Sequence, residues 1–149
     1  MQRVYSLLVD NNSGVLSRIS GLFTRRGYNI DSITAGVTAD SRFTRITIVS
    51  SGDEIILSQI EKQIAKLEDV IVVKVLKPEE SVYRELILVK IRANAQQRSE
   101  IVSIADIFRA KIVDAERESL VIELTGTQSK LEAFLQLLDG YEILELART

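Results

Sequence analysis

The sequence has 149 residues, 46% of them hydrophobic and 27% charged, with a formal net charge of −2. That length suits one ordinary domain or two small ones, and the near-neutral charge gives no strong pull toward nucleic acid or an anionic membrane. Cysteine and histidine are absent, which excludes disulfides, thiolate metal sites, the commonest general base and the commonest transition-metal ligand. Lysine and carboxylate chemistry remains possible, so catalysis is disfavoured but not excluded. No apolar run approaches the roughly 20 residues of a membrane span, and no phosphate-binding loop or dinucleotide fingerprint occurs. Strand-like sequence begins near Arg3, which leaves no room for a signal peptide, and the expectation is a cytoplasmic protein.

Residues 2–10 alternate loosely around Val4, Leu7, Leu8 and Val9 and predict a strand. Asp10-Asn11-Asn12-Ser13-Gly14 stops it. Val15, Leu16, Ile19, Leu22 and Phe23 then recur at helical spacing, and Gly27 suits a left-handed C-cap after Arg25 and Arg26. Ile30 to Val37 is rich in β-branched residues and predicts a second strand; Phe43 to Val49 predicts a third, with Thr44, Ile46 and Ile48 on one face. Asp53 is a natural N-cap for a helix whose face reads Ile56, Ile60, Ile64 and Leu67, and Val70 to Leu76 predicts a fourth strand. Lys77-Pro78-Glu79-Glu80-Ser81 holds the only proline and divides the chain into 1–77, a linker at 78–82, and 83–149.

The same order follows again. Tyr83 to Ile91 predicts a strand, and Ile101, Ile104, Ala105 and Phe108 a helix. Lys111 to Glu116 and Ser119 to Thr125 predict strands. Thr127 caps a helix lined by Leu131, Phe134, Leu135 and Leu138, and Tyr141 to Ala147 is the last strand. Each half therefore reads βαββαβ, the ferredoxin-like split arrangement, in the α+β class. Each half is small enough to bury only a marginal core and leaves sheet edges open, so an oligomer is expected.

The Asp10–Gly14 stretch has two readings. From the residues alone, a strand-to-helix turn capped by Ser13 or Asn12 is favoured. Alternatively, the unsatisfied N–H groups and positive dipole end of the helix hold a carboxylate, with Gly14 allowing close approach and Asn11 and Asn29 supplying polar side chains. Asn11 and Asn29 flank opposite ends of the first helix, so a site using both is shared between two chains. The matching loop of the second half, Arg92–Arg98, has no glycine, so the two halves do different jobs. Glu116-Arg117-Glu118, Glu142 and Glu145 read as solvated charge. RNA-binding modules of this topology stack bases on aromatics of central strands, and neither RITIVSS nor RELILVKI has one, which argues against nucleic acid.

The motifs Asn-x-x-Gly-x-Leu-x-Arg and Gly-Leu-Phe-x-x-Arg-Gly-Tyr-Asn-Ile, followed by EKQIAKL, LVKI, IFR and LTGTQSKLEAFL, resemble the regulatory small subunit of acetolactate synthase over essentially the whole chain. The Asn-x-x-Gly start alone would indicate only an ACT domain, a small-ligand sensor. The resemblance implies an N-terminal ACT domain for effector binding and dimerisation, and a C-terminal ferredoxin-like domain that meets the catalytic subunit. It implies a homodimer that binds valine, or another branched-chain amino acid, between chains, at Asn11, Gly14, Val15 and Leu16 of one and Asn29 and Ile30 of the other. It further implies a large catalytic subunit carrying thiamine diphosphate, a divalent metal such as Mg2+ and FAD, which condenses pyruvate with a second 2-keto acid. No cofactor or metal is expected in this chain. Family members usually continue past Ala147-Arg148-Thr149 with a short Gly- and Arg-containing tail. The alternative is a free-standing ACT-type amino-acid sensor with a different partner; a small enzyme is the third and weakest reading.

Overall fold

Alternation of Tyr5, Leu7 and Val9, all fully buried, makes Gln2–Asp10 a strand with one dry face, β1. Around it, in a computed structural model that describes residues 1–149, the first half is built from α1 (Val15–Arg26), β2 (Ser32–Val37), β3 (Phe43–Ser51), α2 (Glu54–Ala65) and β4 (Val70–Leu76). The second half repeats the order as β5 (Glu85–Arg92), α3 (Ala95–Phe108), β6 (Lys111–Ala115), β7 (Ser119–Gly126), α4 (Gln128–Leu137) and β8 (Ile143–Arg148). The sheets are antiparallel throughout, ordered β2-β3-β1-β4 and β6-β7-β5-β8, so both halves have the ferredoxin-like βαββαβ arrangement. The chain divides into two compact units, Met1–Ser81 and Val82–Thr149, just after a single 3-10 turn at Pro78–Glu80.

Each unit lays its two helices on one face of its sheet. In the first, Ile46 and Ile48 of β3 join Tyr5, Leu7 and Val9 beneath Val15, Ile19, Leu22 and Phe23 of α1 and Leu57, Ile60 and Ile64 of α2. In the second, Ile87, Val89, Ile91, Leu120, Ile122 and Leu124 face Ile101, Ala105, Leu131 and Phe134, with Leu138 closing the end of α4. Caps fall where short polar side chains precede apolar runs. Asp53 accepts from the Ile56 N–H at 2.8 Å, Asn94 and Gln97 form a capping box, and Thr127 accepts from the Lys130 N–H. Gly27, at φ 67°, ends α1 with its N–H directed at the Phe23 and Thr24 carbonyls.

Several boundaries differ from the sequence expectation. Leu57 takes the core position expected of Ile56, which is exposed. A four-residue step drifts about 40° around a helix, so Ile56 falls off the face that Ile60 and Ile64 define, while Leu57 stays on it. β2 begins at Ser32, not Ile30, because Asn29 and Asp31 are held in a side-chain network before the ladder starts. β5 begins at Glu85 rather than Tyr83. β8 begins at Ile143 rather than Tyr141, because the Tyr141 N–H still bonds the Leu138 carbonyl in the turn made by Gly140 at φ 98°.

Tyr5 is fully buried and its hydroxyl donates to the Leu57 carbonyl at 2.7 Å, tying β1 to α2. Burial pushes this phenol up to about 12 from an ordinary 10.0. The folded state thus holds the proton more tightly than the unfolded chain. Its contribution is complete below pH 10 and is lost as pH rises through 10 toward 12. A two-unit difference corresponds to a loss of roughly 2–3 kcal/mol. Melting temperatures of wild type and Tyr5→Phe between pH 8 and pH 12 should converge as the wild type loses more stability than the variant; a constant difference would refute it.

Candidate functional site

Two polar clusters flank α1, and the sheet register fixes their separation. The first forms where β1 ends. The Asp10 N–H bonds the Asp69 carbonyl beside β4, and the Asn11 N–H bonds the Arg42 carbonyl in the β2–β3 hairpin, both at 2.9 Å. The Asn11 side chain bonds the same hairpin: Nδ2 donates to the Ser41 carbonyl at 2.9 Å, and Oδ1 accepts from the Thr44 hydroxyl at 3.1 Å. Asn11 therefore positions the loop between β1 and α1.

Gly14, at φ 89°, is the N-cap of α1, and no side chain caps the helix. This corrects the expectation that Ser13 or Asn12 does so. A left-handed backbone at the cap position suits glycine and leaves the first-turn N–H groups without a side-chain acceptor. Val15 is buried and anchors the first turn; Leu16 is 49% exposed beside it. Arg18 folds back over this start. Its Nε donates to Asp69 Oδ2 at 2.5 Å, and its Nη1 lies 3.1 Å from where a Cβ on Gly14 would stand. An uncapped helix start beneath a guanidinium is a place where a small anion can be held, although Asp69 offsets part of the Arg18 charge.

The second cluster lies past the other end of α1. Asn29 Nδ2 donates to Asp31 Oδ1 at 2.5 Å, and the Asn29 carbonyl accepts from the buried Ser50 hydroxyl. Asp31 Oδ2 also accepts from the Ser51 hydroxyl and, at 3.1 Å, from Gln2 Nε2. Ile30 is half-buried against the core. Gln2 pairs with Ser51 and Asp10 with Phe43 across β1 and β3, so the clusters sit at opposite ends of one strand. Eight residue steps put them roughly 27 Å apart. A single chain thus holds Asn11, Gly14, Val15 and Leu16 together, and Asn29 and Ile30 together, but not the two groups with each other.

Arg18 and Asp69 were not among the residues expected in the site. Arg18 had a local signal, four residues after Gly14 in a helix. Asp69 had none, because only sheet pairing brings it to α1.

The remaining constellations resolve as solvated charge. Arg92 pairs with Glu142 at 2.8 Å and with Glu118 at 3.8 Å, and Glu145 lies opposite Lys90. The start of α3 is closed by its capping box, unlike that of α1. β1 and β3 do carry aromatics: the Tyr5 ring lies under the helices, and Phe43, at the start of β3, has the Arg42 guanidinium over its ring, 5.2 Å from the centroid. No group of three or more His, Cys, Asp or Glu is arranged to hold a metal, and no helix is long and apolar enough to cross a membrane.

Residues 5–72 match the family described as the AHAS small subunit-like ACT domain, and residues 84–149 match the family described as the small subunit of acetolactate synthase. A probable acetolactate synthase small subunit of Methanothermobacter thermautotrophicus is 48% identical over 147 residues, 98% of this chain and 88% of that protein. The isozyme 3 small subunit of Escherichia coli is 45% identical, covering 100% of this chain and 92% of that one. The crystal structure of the acetolactate synthase small subunit of Thermotoga maritima superposes with a TM-score of 0.92 at 42% identity, covering 100% of this chain and 93% of that one.

Proposed function

Since the chain belongs to the family of acetolactate synthase small subunits, regulatory rather than catalytic chains with an ACT domain, we propose that it activates a large catalytic subunit and makes it subject to feedback inhibition by valine or another branched-chain amino acid. The observation that carries the effector reading is the uncapped start of α1 at Gly14 under Arg18. An amino acid would set its carboxylate on the free N–H groups and its apolar side chain near exposed Leu16.

We assign effector binding and dimerisation to residues 1–77, the linker to 78–82, and contact with the catalytic subunit to 83–149. In the dimer, β2 of one copy lies antiparallel to β2 of the other. Asn11, Gly14, Val15 and Leu16 of one then approach Asn29 and Ile30 of its partner, and the effector sits across the joint. The edge chemistry favours this. β2 carries no charged residue and no register irregularity, whereas the other three edge strands are protected. β4 has Lys74 and a bulge, β6 has Lys111, Asp114 and a bulge, and β8 has Glu145 and Arg148. Under two-fold symmetry an edge charge can meet its own copy, so an uncharged edge is the one free to self-pair.

Thiamine diphosphate, the divalent metal and FAD are assigned to the large subunit, in the cytoplasm. Affinity capture from the source cell, read by mass spectrometry, is expected to recover the acetolactate synthase large subunit as the main partner. Recovery of a different enzyme in its place would favour the free-standing sensor.

A further inference from the structure

The proposed dimer leaves open how the two β2 strands align, and the edge contains the information that decides it. The Thr38 N–H bonds the Phe43 carbonyl at 3.1 Å, which makes that pair a hydrogen-bonded one at the mouth of the hairpin. The β2–β3 register runs without irregularity from Val37↔Thr44 to Ser32↔Val49. Main-chain groups alternate along an antiparallel strand, so those of Gly36, Thr34 and Ser32 turn toward β3. The N–H and C=O groups of Ile33, Ala35 and Val37 therefore point away from the sheet.

Their side chains share a face as well. Ile33 stands opposite Ile48 and Ala35 opposite Ile46, both buried in the core, so this row lies on the helix-covered side. Even so, Ile33 is 39% exposed and Val37 62% exposed. The strand thus presents unpaired donors and acceptors together with uncovered apolar side chains, all on the same three residues.

We infer that a second copy pairs in the register that places Ala35 opposite itself on the two-fold axis, with Ile33 of each copy opposite the partner's Val37. This rests on the paired-strand reading above and adds its alignment. A two-fold axis normal to the sheet requires opposed residues to share a face, so the neighbouring choices are Thr34 opposite itself or Gly36 opposite itself. With Ala35 on the axis, all three outward-facing residues pair with outward-facing residues, giving about six intermolecular hydrogen bonds. With Thr34 on the axis, Val37 meets the partner's Asp31, whose N–H is already bonded to the Val49 carbonyl, and about four remain. With Gly36 on the axis, Ile33 falls beyond the partner strand, opposite Ala39, again leaving about four. The Ala35 register is also the one that puts the two exposed β-branched side chains against each other at both ends of the joint. Those ends are where the Gly14 half-site of one copy meets the Asn29 half-site of the other.

The chain has no cysteine, so single cysteines report the alignment without background. A residue on the axis in a hydrogen-bonded pair has its Cα roughly 5.5 Å from its copy, within disulfide reach, whereas a diagonal neighbour at roughly 7–8 Å is beyond it. Full-length Ala35→Cys, oxidised under mild conditions, is expected to become mostly covalent dimer, and Thr34→Cys and Gly36→Cys to stay mostly uncrosslinked. If cysteine on the axis disturbs pairing, a mixture of Ile33→Cys and Val37→Cys copies of different mass should still give the mixed dimer in preference to either self-linked one. Preferential linking of Thr34→Cys or Gly36→Cys would overturn the register while leaving the paired strands in place. No linking in any variant or mixture would overturn both.

Discussion

Gly14→Asp is expected to abolish valine binding in a chain that still folds. At φ 89° any side chain is strained, but aspartate is among the residues that best tolerate the left-handed region. The new carboxylate would stand at the N-terminus of α1, where a helix dipole favours it, and within reach of the Arg18 guanidinium that already lies over this position. It would satisfy the groups that the effector's own carboxylate is proposed to use, and it would repel that carboxylate. Like charges brought together cost several kcal/mol, so an affinity loss of at least about 100-fold is the expected scale. Calorimetry with valine, alongside a melting curve, reads both halves of the expectation. Unchanged affinity in the folded variant would remove the start of α1 from the site.

The wild-type chain, mixed with its large subunit, is expected to raise turnover, and valine is expected to reverse much of that gain. An effector bound across two copies acts only if it favours one arrangement of the dimer, and only if that difference reaches the docked enzyme. Couplings of this kind are typically about 1–3 kcal/mol, or roughly 5–150-fold in affinity or active population. Asn29→Ala separates the two effects. Its fold should survive, because the contact to Ser50 is made by the Asn29 main-chain carbonyl, which alanine retains. Only the Nδ2 bond to Asp31 is lost. Activation should therefore persist while valine sensitivity falls. An activity titration of the large subunit with both forms, with and without valine, decides it. A wild type that neither activates nor confers inhibition would leave the free-standing sensor as the better account.

The fold was legible because its signals are local. Loose alternation around Val4, Leu7, Leu8 and Val9, helical spacing at Ile19, Leu22 and Phe23, and short polar caps at Asp53 and Thr127 each act within a few residues. A pattern repeated in both halves then predicts the topology. Errors arose where a local rule met a non-local constraint. Ser13 and Asn12 are good capping residues, yet the hairpin's grip on Asn11 and the buried Val15 set the entry angle of α1, and Gly14 takes the cap. Ile56 fits a four-residue rhythm, but packing of α2 against the sheet selects Leu57.

By itself, the sequence determined two βαββαβ units and the family of the chain, and put a glycine in the first strand-to-helix turn. Only the tertiary structure decided what surrounds that glycine. Arg18 and Asp69 are 51 positions apart in sequence, and β1–β4 pairing makes them neighbours. It also decided that Asn11 and Asn29 lie at opposite ends of one sheet, and that β2 turns three unpaired residues outward. The physical reason is range. Periodicity and capping are set by neighbours along the chain, whereas register, edge exposure and ion pairing are set by which strands lie side by side.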